Sequence, residues 1–423
     1  MKRGLMTLLM LLAGSMALQA QEFAVQEAHC RLHCRVTDAV QREAEALRLE
    51  MTDSGMLDFV FPEWVTFRGV RYALVSARSG LMKNNLQLRS LATGRNLRSV
   101  GSQLCYGCDN LKQLTIGTGL QSFGPRSFAL CSNLETVYFN AIDCYTKKDQ
   151  GYWMGCHNLR TLHIGDSVQR LGDGIFAHCS SLDCELHLPE GLRHIGHAAF
   201  DDCSNIKGKL VLPMSLEAIG KMAFAGMNNV DTLVLRSRLL EILPGGICQV
   251  FYHSINPVAV MVDSTVIELP ALLFSNFKGM KSCQLPDDME ILDVNTFEVT
   301  LGLREIRLPS QLRYIGGACF YQSGLDQLVL PDKVEMVDNY AFAYCYNLKE
   351  ATIGKNVRLL GDYCFVEDTA LRRLTVLAEV PPRAFEHTFS EMDLDRITLV
   401  VPESSLEAYR KDPIWGRFTV IKS

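Results

Sequence analysis

The sequence predicts a solenoid: a β-rich array, of α/β repeat class, with about a dozen coils of 22–25 residues and a cap at each end. Three observations predict it. A motif recurs at a nearly constant period, each copy carries apolar-x-apolar alternation, and single residue types recur in fixed phase. The clearest copy is LKQLTIGTGLQSFGPRSFALCSNL, from Leu111 to Leu134, and further copies begin at Leu134, Leu159, Leu182, Ile206 and Val230, 23 to 25 residues apart. The pattern returns at Leu303 and runs to Leu371.

A period of this length with an L-x-x-L-x-L core is the mark of a leucine-rich repeat. Leu114 and Ile116 point to one face of a short strand and Thr115 to the other. One strand cannot bury its apolar face alone, so neighbours stack and join their faces into one core. Gly124, Gly172, Gly196, Gly220, Gly316 and Gly361 follow an apolar residue where the chain must turn, and are expected to supply positive φ there. Phe128, Phe176, Phe200 and Phe342, three residues before a Cys column, fill the coil. Pro189, Pro213, Pro286, Pro309 and Pro331 follow the strand and stop its ladder, because Pro has no N–H.

From about residue 57 onward this pattern resembles the BspA-like leucine-rich repeats of bacterial surface and secreted proteins. The resemblance implies a right-handed solenoid that works as a binding or adhesion surface without enzymatic activity. Host extracellular-matrix protein is a partner of the kind it suggests.

The N-terminus, MKRGLMTLLMLLAGSMALQAQEF, has a charged start, an apolar run from Leu5 to Leu12 and small residues up to Ala20. Residues 1–20 are therefore expected to be a secretory signal peptide, cleaved after Ala20, and the mature chain to be secreted or held at the cell surface without a membrane span. The formal net charge of −5 is mixed in sign, so nothing favours nucleic acid as a partner. A monomer is expected.

Residues 21–56 fall outside the repeat, and Val36 to Met51 has helical spacing, so a cap helix is expected there. Residues 57–401 form the solenoid. FPEWVTFRGVRYALVSA, within 57–86, resembles the family's Gly-centred opening hairpin. Trp153 and Cys156 take the Phe and Cys places in a coil with an insertion, where Lys147, Lys148, Asp149 and Gln150 would form an exposed loop. Between Val230 and Leu303 the repeat weakens: Ile247, Phe274 and Phe297 are assigned to the Phe column and Val250, Phe277 and Thr300 to the Cys column. Residues 402–423 break the period, and Leu406, Tyr409, Trp415 and Phe418 supply bulk for a closing cap.

Fifteen Cys in an exported chain invite a disulfide reading. Cys108, Cys131, Cys156, Cys179, Cys203 and Cys345 instead share one repeat position, and Cys319 and Cys364 another, as buried small hydrophobes do. Cys30 and Cys34 lie outside the register and are the better disulfide candidates. Cys105-Tyr-Gly-Cys108 has CxxC spacing only because two columns fall three residues apart. His163 and His187 share an outward strand position near Glu185, a set that could suit a metal. A polar exposed face explains them as well, and no metal or other cofactor is expected. His178, His194 and His197 lie off that face. No nucleophile elbow, H-E-x-x-H, phosphate-binding Gly loop or EF-hand loop occurs.

The expected function is non-catalytic binding of a protein or glycan through the strand face. The candidate residues are Tyr138, His163, His187, Val211, Val234, Met261, Gln284 and Arg307. Thr115, Val329 and Thr352 occupy the same outward place. Two alternatives are a structural envelope protein with no saturable ligand and an enzyme with a site in the irregular middle.

Overall fold

The computed structural model describes residues 21–238, 240–244, 249–256 and 258–423. The expected signal peptide and the assignment of Ile247 lie outside these residues. The chain divides into two units, 1–205 and 206–423, and each is a β-solenoid with little helix.

The first unit opens with strands, not a helix. Strand β1 (Glu22–Gln26) pairs antiparallel with β2 (Cys30–Asp38), which pairs antiparallel with β3 (Glu43–Met51). Two features of the sequence decide this. Cys30, Leu32, Cys34 and Val36 alternate with period two and are all fully buried. Asp38 then accepts the N–H groups of Val40 and Gln41, both at 2.8 Å. That Asx turn lets the chain reverse before β3. The expected cap helix over Val36–Met51 is thereby replaced by a hairpin.

The disulfide expectation for Cys30 and Cys34 is corrected by the same strand. They lie four residues apart on one face of β2, both free and buried. Four strand residues span roughly 13 Å, well beyond the reach of an S–S bridge.

Strands β4 (Leu57–Val60), β5 (Trp64–Phe67) and β6 (Val70–Ala77) follow. The β5–β6 hairpin turns at Arg68 and Gly69, with φ of 52° and 78°, which is the two-residue turn that suits strand twist. β6 pairs parallel with β3 and joins the opening sheet to the coils. β4, Leu88–Ala92, Gln113–Ile116, Thr136–Phe139 and Thr161–Ile164 then form a parallel sheet with one strand per coil. A second ladder of two-residue strands runs alongside, at Ser99–Val100 and Ser122–Phe123.

The second unit repeats this plan. One parallel sheet holds Lys207–Leu212, Asn229–Leu235, Val258–Val262 and Met280–Gln284. Another holds Gln327–Val329, Glu350–Ile353, Arg373–Val376, Thr398–Val400 and Val420–Lys422. Its short ladder includes Ile291–Leu292, Tyr314–Ile315, Met336–Val337 and Leu359–Leu360. Strand Lys207–Leu212 ends directly before Pro213, whose carbonyl accepts the N–H of Leu216 at 3.1 Å and so begins the turn.

The glycine column works by a different mechanism from the one expected. Gly124, Gly172, Gly196, Gly316 and Gly361 do not have positive φ. A Cβ on Gly124 or Gly361 would sit 2.4 Å from the backbone nitrogen of Ser102 or Asn339, one coil earlier. These glycines permit close stacking of coils. The left-handed conformation falls two residues later, on Arg126, Gly174, Ala198, Ala318 and Tyr363, with φ between 51° and 57°. Left-handed residues recur four apart through the turn, as at Ala318 and Gln322 or Tyr340 and Tyr344, and every second N–H faces the next coil. Ala318, Phe320 and Gln322 donate to the carbonyls of Asn339, Ala341 and Ala343 at 2.8–2.9 Å, so the turn backbone is hydrogen-bonded as a strand would be.

The aromatic column forms the spine of each core. In the first unit Phe128, Trp153 and Phe176 stack at 4.9 and 5.8 Å, and the Trp153 indole donates to the Ile175 carbonyl. In the second unit Phe251, Phe274, Phe297, Phe320, Phe342, Phe365 and Phe389 follow one another at 5.1–6.2 Å. Phe251 is therefore the aromatic of its coil, and Ser254, not Val250, takes the Cys place. Burying each ring is worth about 1.5–3 kcal/mol. At the C-terminal end Trp415 and Phe418 meet Phe389 edge-on, and Tyr409 and Trp415 are fully buried. The Tyr409 hydroxyl donates to Ala378 and the Trp415 indole to Pro382. The short helix Leu406–Lys411 holds Tyr409 in place.

Candidate functional site

Alternation along each strand fixes which residues face out, and parallel pairing sets them in columns. In the first unit Ala92, Thr115, Tyr138 and His163 are aligned in register. The Tyr138 ring stacks on the His163 imidazole at 4.8 Å and 13°. The neighbouring outward column is polar: Asp58, Ser90, Gln113, Thr136 and Thr161. Hydrogen bonds from Arg89 and Ser90 hold the Asp58 carboxyl down at about 2. That coil therefore presents a fixed ion pair across the range in which most proteins work.

In the second unit Val211, Val234, Met261, Gln284 and Arg307 form one continuous register. Val211 and Val234 are half-buried, and Met261 is 44% exposed. Arg307 is exposed and holds both oxygens of Asp287 at 3.1 Å. The column therefore changes from apolar to charged over five coils. Val329, Thr352, Thr375 and Val400 continue the outward position on the next sheet, and Val329 is 61% exposed.

The eight candidate residues thus fall into two groups, each within its own unit. Tyr138 and His163 touch. His187 is exposed in the first unit outside any strand, with Nε2 4.0 Å from Glu185. Among the described residues no three His, Cys, Asp or Glu side chains gather as metal ligands would. The concavities of the second unit differ in character: a small one between Leu210, Leu233, Phe251 and Phe277 is apolar, and others are open and polar. One of the polar ones is lined by Glu290, Gln311, Arg313, Lys333, Glu335 and Arg358, with Arg313 and Glu335 paired at 2.7 Å.

A model of the BspA type leucine-rich repeat region matches residues 79–183, 146–250 and 267–391, which together cover well over half of the chain. The chain belongs to the BspA type leucine-rich repeat family. No curated protein matches this BspA-type chain. Among solved structures it is similar to a leucine-rich repeat protein from Bacteroides ovatus, with 16% identity, 90% of this chain and 100% of that chain covered, and a TM-score of 0.49. It is also similar to the pneumococcal vaccine antigen PcpA, with 15% identity, coverage of 92% and 96%, and a TM-score of 0.41. A leucine-rich cell surface protein from Faecalibacterium prausnitzii shares 14% identity, with coverage of 84% and 95% and a TM-score of 0.28. Likeness at this level says nothing of ligand. Among the described residues of the BspA-type chain, no helix is long and apolar enough to cross a membrane.

The Cys column of this BspA-type solenoid has a role that the sequence did not reveal. Cys108, Cys131, Cys156, Cys203 and Cys345 each donate S–H to a carbonyl one coil back, at 3.0–3.2 Å. Burial pushes the Cys105, Cys179 and Cys364 thiols well above their usual range. Those three are fillers rather than nucleophiles, whereas the hydrogen bond with Cys131 moves the Cys156 thiol downward.

Proposed function

We propose that this chain is an exported, non-catalytic binding protein that recognises a protein or glycan through the strand face of its solenoid. The observation that carries this reading is the column Val211–Val234–Met261–Gln284–Arg307. It is one aligned strip, apolar at one end and charged at the other, on a surface the core does not need. An exposed apolar patch rimmed by polar groups is how interaction surfaces are built, and aromatic, Met and Arg residues are enriched at their centres. Tyr138 and His163 offer a second, aromatic element on the strand face of the first unit.

The test is to present the purified chain, immobilised, to a panel of extracellular-matrix proteins and to a glycan array. The reading expects saturable binding to at least one member. Absence of saturable binding across both panels, with the chain fractionating with the envelope, would favour a structural role.

A further inference from the structure

In the last coils of the second unit the turn side is built from different residues than the strand side. Five turn runs, 291–302, 314–325, 336–347, 359–370 and, in register with Leu359, 383–391, contain eight carboxylates, of which Asp368 is buried, and a single cation, Arg383, which lies over the Phe385 ring. The other nine Lys and Arg residues of 291–391 lie between those runs. Strand-side carboxylates have cationic partners: Asp287 with Arg307, Asp326 with Lys349, Asp332 with Lys355, and Glu335 with Arg313. On the turn side, among the described residues, only Asp362 has an ion-pair partner, His387 at 3.3 Å. The repeat does not impose this, because turns of the first unit carry Arg126, Lys147 and Lys148.

The same runs hold six of the chain's thirteen tyrosines: Tyr314, Tyr321, Tyr340, Tyr344, Tyr346 and Tyr363. Tyr340, Tyr363 and His387 each stand two residues before a Phe of the aromatic spine. Their rings stack at 4.9 and 4.8 Å, within 3° of parallel. Tyr340 and Tyr363 adopt φ of 59° and 56°, a conformation costly for a bulky residue. Ala198 and Ala318 fill the equivalent place elsewhere, so the coil does not require a ring there. On the other flank of the spine Tyr321 and Tyr344 lie 5.2 Å apart at 60°, and Tyr344 and Tyr346 lie 6.1 Å apart at 68°. Tyr346 is 51% exposed.

We propose that this tyrosine-lined turn face is a second binding surface, separate from the strand face, and that its occupant is a Lys- or Arg-rich polypeptide segment. Charge selects the occupant. A face on which carboxylates far outnumber cations, with Arg383 and Arg417 confined to its last coil, repels nucleic acid and anionic lipid and attracts a basic chain. Ring geometry agrees. In the Tyr340–Tyr363–His387 stack both faces of Tyr363 are covered and Tyr340 and His387 each have one face covered, so little ring face is left for a sugar to lie on. Phenol oxygens and carboxylates together make an acceptor-rich strip suited to guanidinium and ammonium donors. Tyr346 presents an uncovered ring for cation–π contact, and tyrosines give large, rigid contact area at low entropic cost.

The test is titration of the purified chain with a fluorescein-labelled nona-arginine peptide and, separately, with maltoheptaose as a neutral sugar. Four proteins are compared: wild type, Tyr344→Ser/Tyr346→Ser, Glu298→Gln/Glu367→Gln, and Met261→Ser on the strand face. The expected result is saturable peptide binding with a Kd at or below about 100 µM. It should be weakened at least about five-fold in the tyrosine and carboxamide variants and unchanged in Met261→Ser. Equal affinity in all four proteins would overturn the proposal, since attraction to net negative charge alone would give that. Loss only in Met261→Ser would assign the peptide to the strand face, and binding of maltoheptaose in place of the peptide would identify a sugar site. Either result overturns the proposal. If a variant melts early, nitration of wild-type tyrosines by tetranitromethane replaces it. The peptide should slow modification of Tyr340 and Tyr346 at least about three-fold, and unslowed nitration of both contradicts the proposal. Strand-face binding can fail without affecting this result, and the converse also holds.

Discussion

The thiol of Cys131 donates to the carbonyl oxygen of Cys105, one coil back, at 3.1 Å. A disulfide would remove that donor, and the place it occupies is taken by Ser254 and Ser323 in other coils. The column is therefore expected to stay reduced. Ellman's reagent should find few reactive thiols in the native chain and most of the fifteen after denaturation; recovery of almost none after denaturation would contradict the assignment. Cys131→Ala should cost about 1 kcal/mol through a small cavity and a lost weak donor. Cys131→Ser, which keeps a donor, should cost less.

Asp368 occupies the same column position and is almost completely buried. Its Oδ1 accepts the Cys345 N–H at 2.7 Å, while Oδ2 has no partner. Burial pushes its carboxyl well above the usual range. The folded chain thus binds a proton that the unfolded chain releases near pH 4. Stability from this group is present below the unfolded value and is lost as pH rises toward the folded one. Asp368→Asn, which imitates the protonated acid, should raise the melting temperature at pH 7.5. The gain should shrink toward pH 4. Melting curves at the two pH values check this, and an equal gain at both would count against it.

The glycine column and the left-handed column can be separated by mutation. Gly124→Ala places a Cβ 2.4 Å from the backbone of Ser102 and should destabilise by more than about 2 kcal/mol. Arg126, exposed and at φ 54°, should accept Gly with a change of less than about 1 kcal/mol, because relieved strain offsets the added freedom of the unfolded chain. Paired melting temperatures decide it. Tolerance of Gly124→Ala would return the column to a conformational role.

Much of this fold was legible because its signals are local and repeated. Leu114-x-Ile116 fixes a strand and its inward face, and the spacing of Phe128 to Cys131 fixes the turn. Where the signal lay between coils, sequence reading failed. Nothing near Gly124 announces that Ser102 lies against it. In residues 36–51, Ala and Leu spacing fits helix or strand equally, and the period-two run Cys30–Val36 together with the Asp38 turn was needed to decide. Phe251 is hidden from a strict period because the irregular stretch before it shifts the phase by four residues. The outward strand column followed directly from alternation. The acidic turn side did not, because its five runs lie apart in sequence and meet only after the coils stack.

The most direct test of the strand-face account uses whichever matrix protein or glycan of the two panels binds the chain saturably. Its affinity should be measured for wild type, Val234→Glu and Met261→Glu. Met261 is 44% exposed, so its charge-bearing variant should fold and melt like the wild type. The account predicts at least a ten-fold loss of affinity in Met261→Glu, equivalent to about 1.4 kcal/mol. Native melting with unchanged affinity in both variants would contradict it and move the site off the strand face.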